Sequence, residues 1–153
     1  MNFGTHTIPD EHIIIKTKHT FIFTNIRPFL PYHILVSPIA RIQHLSDLNT
    51  DEVDDLFRCV QLSLKALRPF GKDFTVSVQD GPSAGQTVDH VHVHVIPRKE
   101  NDLEDNDLIY AKGSLDYSRR TRSFEEMKEE ASMLRKHFEE IFRKDERCFL
   151  NFK

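Results

Sequence analysis

Three histidines and three valines alternate through His90-Val91-His92-Val93-His94-Val95, and Ile96 and Pro97 close the run. Side chains of an extended backbone point to opposite faces with period two, and valine is a strong strand former. The run therefore predicts a strand whose valine face packs on a core and whose histidine face is a polar wall. The chemistry of the chain is placed on that wall.

A metal site is one use for such histidines, since neutral imidazole is a common ligand and His-x-His can offer two donors to one ion. Distance argues against it. At about 3.3 Å per residue the backbones of His90 and His94 stand roughly 13 Å apart, too far for three rings to close on one zinc at about 2.0–2.1 Å. Cys59 and Cys148 sit in neither a Cys-x-x-Cys nor a His-x-x-x-His motif, so no protein-bound metal is expected and both read as free thiols. A plain solvated sheet face is the other alternative, and the glycine-rich segment upstream weighs against it. Phe74-Thr75-Val76-Ser77-Val78 reads as a strand, with Gln79 to Val88 as the hairpin connection into the histidine strand. Gly81 and Gly85 permit positive φ there, so peptide N–H groups can turn inward as a phosphate cradle.

These segments resemble the histidine triad family of nucleotide hydrolases and transferases, whose signature is His-Φ-His-Φ-His-Φ-Φ with Φ apolar. The stretch QDGPSAGQTVDHVHVHVIPRK over 79–99 is similar to the fragile histidine triad branch, whose members cleave dinucleoside polyphosphates of the diadenosine triphosphate type. Asn25, the segment Pro31-Tyr32-His33-Ile34-Leu35-Val36 and the segment Asn106-Asp107-Leu108-Ile109-Tyr110 extend the likeness. It covers most of residues 1–140 and fades after Arg143.

The resemblance implies roles for particular residues. His92 attacks the α-phosphorus and becomes nucleotidylated, and water then releases a nucleoside monophosphate. His94 donates to the α-phosphate oxygens, while His90 and His33 support and orient the site. Gln86 reaches the phosphate or leaving group, and Gln79 and Thr87 the polyphosphate. Phe3, Ile8 and Phe23 hold the base, Asn25 the ribose hydroxyls, and Tyr110 the outer part of the dinucleotide from a flap. Phe23 equally reads as ordinary core. A homodimer, and a magnesium ion accompanying the polyphosphate, complete the expectation.

Elementary chemistry supports a histidine nucleophile. Neutral imidazole brings no negative charge to an anionic phosphate, and its reference pKa near 6.5 leaves most of it neutral at pH 7. Its second nitrogen has to be held by an acceptor such as a backbone carbonyl, so that the attacking lone pair is aimed. Two other functions stay open. One is hydrolysis of nucleoside phosphoramidates, with an amine leaving group; the other is a nucleotide-binding signalling module whose output is the loaded complex.

Composition narrows the partners. A chain of 153 residues fits one domain burying on the order of 68–70% of its unfolded surface. With a net charge of −3 and dispersed basic residues, it lacks the positive face of a nucleic-acid binder, so a free nucleotide is the expected phosphate-bearing partner. No apolar run approaches the roughly 20 residues needed to span a bilayer, and residues 1–6 do not read as a signal peptide. No membrane association is expected, and a cytoplasmic or nuclear location is.

The elements predict an α+β domain over 1–142, with an antiparallel sheet of about five strands, a central helix and a C-terminal helix, and a tail at 143–153. Ile13 to Ile15, Phe21 to Thr24 and His33 to Val36 are strand candidates. From Asp51 to Leu67, the residues Val53, Leu56, Phe57, Val60, Leu64 and Leu67 recur at helical spacing, with Thr50 as N-cap and Pro69 limiting the end. Ser123-Phe124-Glu125-Glu126 has capping-box spacing and opens a helix striped by Met127, Ala131, Leu134, Phe138 and Phe142. Residues 98–122 are charged and long for a connection, and read as a mobile loop anchored at Ile109 and Tyr110, serving as a flap or a plain linker.

Overall fold

The valine side of the histidine run is where the fold closes: Val91, Val93 and Val95 are each at most 2% exposed. The structure is a computed structural model that describes residues 1–115 and 120–145. Strands β1 (Asn2–Phe3) and β2 (His6–Thr7) form a small hairpin. Strands β3 (Ile13–Lys16), β4 (Thr20–Thr24), β5 (Ile34–Pro38), β6 (Asp73–Val78) and β7 (Val93–Arg98) form one antiparallel sheet in the order β3-β4-β5-β7-β6. Helix α1 (Thr50–Ala66) joins β5 to β6, and α2 (Phe124–Arg143) follows β7.

Both helices cover one face of the sheet. Val93 and Val95 of β7 meet Leu56, Val60 and Leu62 of α1 and Leu134 and Phe138 of α2 in a single apolar cluster. The expected stripe of α2 is buried in full, and its start carries the reciprocal capping box of Ser123 and Glu126. The start of α1 differs from the expectation. Asn49 is its N-cap, accepting from the Glu52 N–H at 3.0 Å while the Glu52 carboxylate accepts from the Asn49 N–H. Thr50 thereby becomes the first helical residue.

The opposite face carries Phe21, Phe23 and Leu35, with Phe3 of the hairpin laid over them. Strands of two residues have no measurable periodicity, and this hairpin was not foreseen. The histidine run is also less regular than alternation implied. Ladder pairing of β7 begins at Val93, so His94 is the member of the triad that lies within the strand. Just upstream, the Val91 N–H donates to Ile42 O at 2.7 Å and Val91 O accepts from Ser37 Oγ at 2.7 Å, groups outside any strand ladder. The side-chain alternation survives this because the backbone stays anchored on both sides. His33 likewise lies one residue before its strand.

The segment after β7 is partly built. Residues 106–110 form a short 3-10 turn, and Ile109 and Leu115 bury against Phe29 and Ile96. Tyr110 is no anchor, being 74% exposed; Leu115, unforeseen, takes that place. Residues 116–119 and 146–153, including Cys148, lie outside the described residues, whereas Cys59 is buried, 3.6 Å from Thr17 Oγ1. Among the described residues no helix is long and apolar enough to cross a membrane.

Candidate active site

His33, His90, His92 and His94 are all buried on the sheet face away from the helices. Hydrogen bonds assign their tautomers. The Phe29 N–H donates to His33 Nδ1 at 2.9 Å, so a neutral His33 carries its proton on Nε2. That Nε2–H faces His94 Nδ1 at 2.9 Å, which places the His94 proton on Nε2. His94 Nε2 is buried and has no acceptor among the described residues. A backbone amide thus dictates, through two rings, that the nitrogen of His94 left without a described acceptor is a donor. It stands on a ring 4.9 Å from that of His92, though His94 itself is not part of the cavity lining. Asn25 Nδ2 lies 3.3 Å from His33 Nε2, but its Oδ1 accepts from the Arg27 N–H, so this approach sets two donors face to face.

His90 is closed at both nitrogens. The Gly4 N–H donates to Nδ1 at 3.0 Å, and Nε2 donates to Pro38 O at 2.8 Å. Burial pushes its pKa below the ordinary value, although carbonyl hydrogen bonds oppose the shift. The contact with Gly4 needs a glycine: its φ is +58°, and an added Cβ would stand 2.5 Å from Val88 Cγ1. His90 then acts through its backbone, since His92 Nδ1 lies 2.8 Å from His90 O. A carbonyl only accepts, so the His92 proton is on Nδ1 and the lone pair on Nε2. The His92 ring packs edge-on to Phe3 at 5.1 Å and 4.9 Å from His94, centroid to centroid.

His92 lines a cavity of about 600 Å³. Burial, followed by the neighbouring His33 and His92, holds the His94 pKa well below the ordinary histidine value. The site therefore combines one aimed lone pair, on His92, with one donor that has no acceptor among the described residues, on His94.

The sequence profile of the HIT domain matches residues 7–101. The chain belongs to the histidine triad family. A bis(5'-adenosyl)-triphosphatase from Dictyostelium discoideum is 41% identical over 90% of this chain and 93% of its own length. A bifunctional bis(5'-adenosyl)-triphosphatase/adenylylsulfatase FHIT from Arabidopsis thaliana is 39% identical over 90% and 83%. Among solved structures, the diadenosine triphosphate hydrolase of Plasmodium falciparum in complex with cyclomarin A superposes with a TM-score of 0.77 at 34% identity, covering 91% of this chain and 84% of that one.

Within this histidine triad domain, Phe3, Ile8, Phe23, Asn25 and Thr87 line the same cavity as His92. Gln86 stands outside the lining, its Oε1 accepting from the Gly81 N–H at 2.8 Å and its Nε2 donating to Gln43 O at 3.1 Å. Gln79 is also outside, packed on Gly85, with its Oε1 buried and without a partner among the described residues. The glycine loop is not an open cradle: the N–H groups of Gly81, Ala84, Gly85 and Gln86 all bond within the loop itself. Tyr110 lies elsewhere, in a cleft with Arg98, Phe74 and Val76 toward the far end of β7.

Among the lining residues not foreseen, Leu35, Arg122 and His12 bear most on the site. Leu35 is the cross-strand partner of His94, legible only once register is known. Arg122 donates twice to Asn25 O and pairs with Glu130, fixing the loop that carries Asn25. Its position next to the capping Ser123 was the available signal. His12, in the turn Asp10–His12, is the third.

Proposed function

We propose that this chain hydrolyses dinucleoside polyphosphates of the diadenosine triphosphate type to a nucleoside monophosphate and a nucleoside diphosphate through a nucleotidyl-histidine. The observation that carries this is the His92 Nδ1 contact to His90 O, which leaves the Nε2 lone pair as nucleophile in a cavity beside the open His94 N–H. Nε2 attacks the α-phosphorus, the bond to the leaving phosphate oxygen breaks, and the electron pair departs on the nucleoside diphosphate. Such a leaving group needs little protonation. His94 Nε2–H donates to a non-bridging α-oxygen, an acceptor that the buried N–H otherwise lacks. Water then attacks the same phosphorus, the P–N bond breaks with its pair returning to Nε2, and the water's proton leaves to solvent. The names of the relatives support this substrate class over phosphoramidates.

Magnesium would enter with the substrate. Among the described residues no group of three or more His, Cys, Asp or Glu side chains is arranged to hold a metal, so its ligands would be polyphosphate oxygens and water. A homodimer would form across the free edge of β6, where Val76 is 42% exposed, with the 41% exposed Phe57 of α1 also presented. Light scattering of Val76→Lys against the parent chain tests that pairing.

Hydrolysis of diadenosine triphosphate in ¹⁸O-water tests the reaction itself. AMP and ADP should appear in equal amounts, with label in AMP alone. Label in ADP, or no turnover of tri- or tetraphosphates, would remove the assignment.

A further inference from the structure

His12 is the buried imidazole to which the proposed reaction gives no task. It is 5% exposed, yet it forms part of the wall of the His92 cavity, beside Phe23, Ile8 and Met127. Its position is fixed from two directions. Nε2 lies 3.1 Å from Phe124 O, and because a carbonyl only accepts, Nε2 carries the proton and Nδ1 a lone pair. The backbone around it is clamped by Arg135 of α2, whose guanidinium donates to Asp10 O, Glu11 O and Ile13 O at 2.8–3.0 Å. Phe124 packs on the ring at 4.5 Å between centroids.

An imidazole so held brings to an otherwise largely apolar wall an Nδ1 lone pair with no protein partner among the described residues. That lone pair is left to water in the free protein, and a ligand N–H entering the cavity would take the water's place. We propose that His12 is a base-reading residue: Nδ1 accepts a hydrogen bond from the exocyclic amino group of a purine held in this cavity. The inference rests on the cavity taking the nucleoside, as the proposed function requires. A base with a carbonyl at that position would bring lone pair against lone pair and be disfavoured. A base with hydrogen there would lose one bond without repulsion. The order expected is amino, then hydrogen, then carbonyl.

Calorimetric binding of AMP, purine riboside 5'-monophosphate and IMP to the full chain tests this without turnover. AMP should bind about three- to tenfold tighter than the purine analogue, the value of one neutral hydrogen bond, and IMP should bind weakest. His12→Gln keeps a donor for Phe124 O and removes the acceptor at the Nδ1 position, so it should bring the three affinities within about twofold. His12→Asn, which can place an amide oxygen near that position, should retain the order. Equal affinities in the parent chain, or an unchanged order in His12→Gln, would overturn the proposal. If His12→Gln lowers the thermal midpoint, the parent comparison decides alone. Discrimination without hydrolysis of dinucleotides would sink the hydrolase reading and keep His12; hydrolysis without discrimination would sink only His12.

Discussion

At the N-terminal end of β7, His94 holds a buried N–H that nothing among the described residues accepts, whereas at the C-terminal end Arg98 has acceptors on every side. Arg98 Nε and Nη2 donate to Asp102 at 2.8 and 2.7 Å, and Nη1 to Thr75 and Asn106. The hydrogen bond between them is the main reason that the Arg98 pKa lies above its usual value and that of Asp102 below. Burial drives His94 the other way, toward the neutral form. A polar cluster that serves folding closes its own valences; one that serves a ligand leaves a valence for it.

The comparison breaks most visibly if His92 is not the nucleophile. His92→Asn should lower kcat for diadenosine triphosphate on the order of 10⁴-fold or more with substrate affinity nearly unchanged, measured by single-turnover kinetics and binding. Activity within tenfold of the parent would end the covalent role. At the far end the expected loss is of stability. Arg98→Met should cost about 1–3 kcal/mol, since both partners are mostly buried, and leave kcat within about threefold. Urea melts and kinetics on one preparation separate the two effects.

The pH dependence sharpens the contrast further. His90 and His94 have folded-state pKa values below the unfolded value, so the unfolded chain binds more protons. Their contribution is fully present above about pH 6.5 and is lost as pH falls from there toward the folded values. Urea midpoints between pH 7.5 and 5 should decline accordingly, and His94→Phe should flatten the decline. An unaltered slope would mean that other groups set it. The smallest effect belongs to Tyr110→Ala. With the side chain 74% exposed and outside the His92 cavity, KM for the dinucleotide should stay within about twofold. A KM rise confined to dinucleotides, with mononucleotide esters unaffected, would mean that a second copy of the chain brings Tyr110 to the site.

What the sequence made legible follows the strength of its periodicities. Alternation around Val93 and Val95, and the stripe from Met127 to Phe142, placed the core face and the last helix because burial enforces period two and period 3.6. The hairpin carrying Phe3 and Gly4 is too short for either period, so the donor that closes His90 was invisible. Gly81 and Gly85 were legible as a turn but not as a self-bonded one, because composition does not say where an N–H points. His12 and Arg122 sit in segments whose patterns read as connection, and only tertiary contact puts them beside Asn25 and Phe23.

The proton order fixed by the Phe29 amide has a consequence for ionic strength. Along Phe29, His33 and His94 the hydrogen bonds all run one way, and no ring needs a charge. Arg122, which holds the loop carrying Asn25, is paired with Glu130. An α-phosphate bound as proposed would meet oriented dipoles at contact distance, which mobile ions screen far less than they screen separated charges. Affinity in this cavity should therefore change little between dilute buffer and physiological salt.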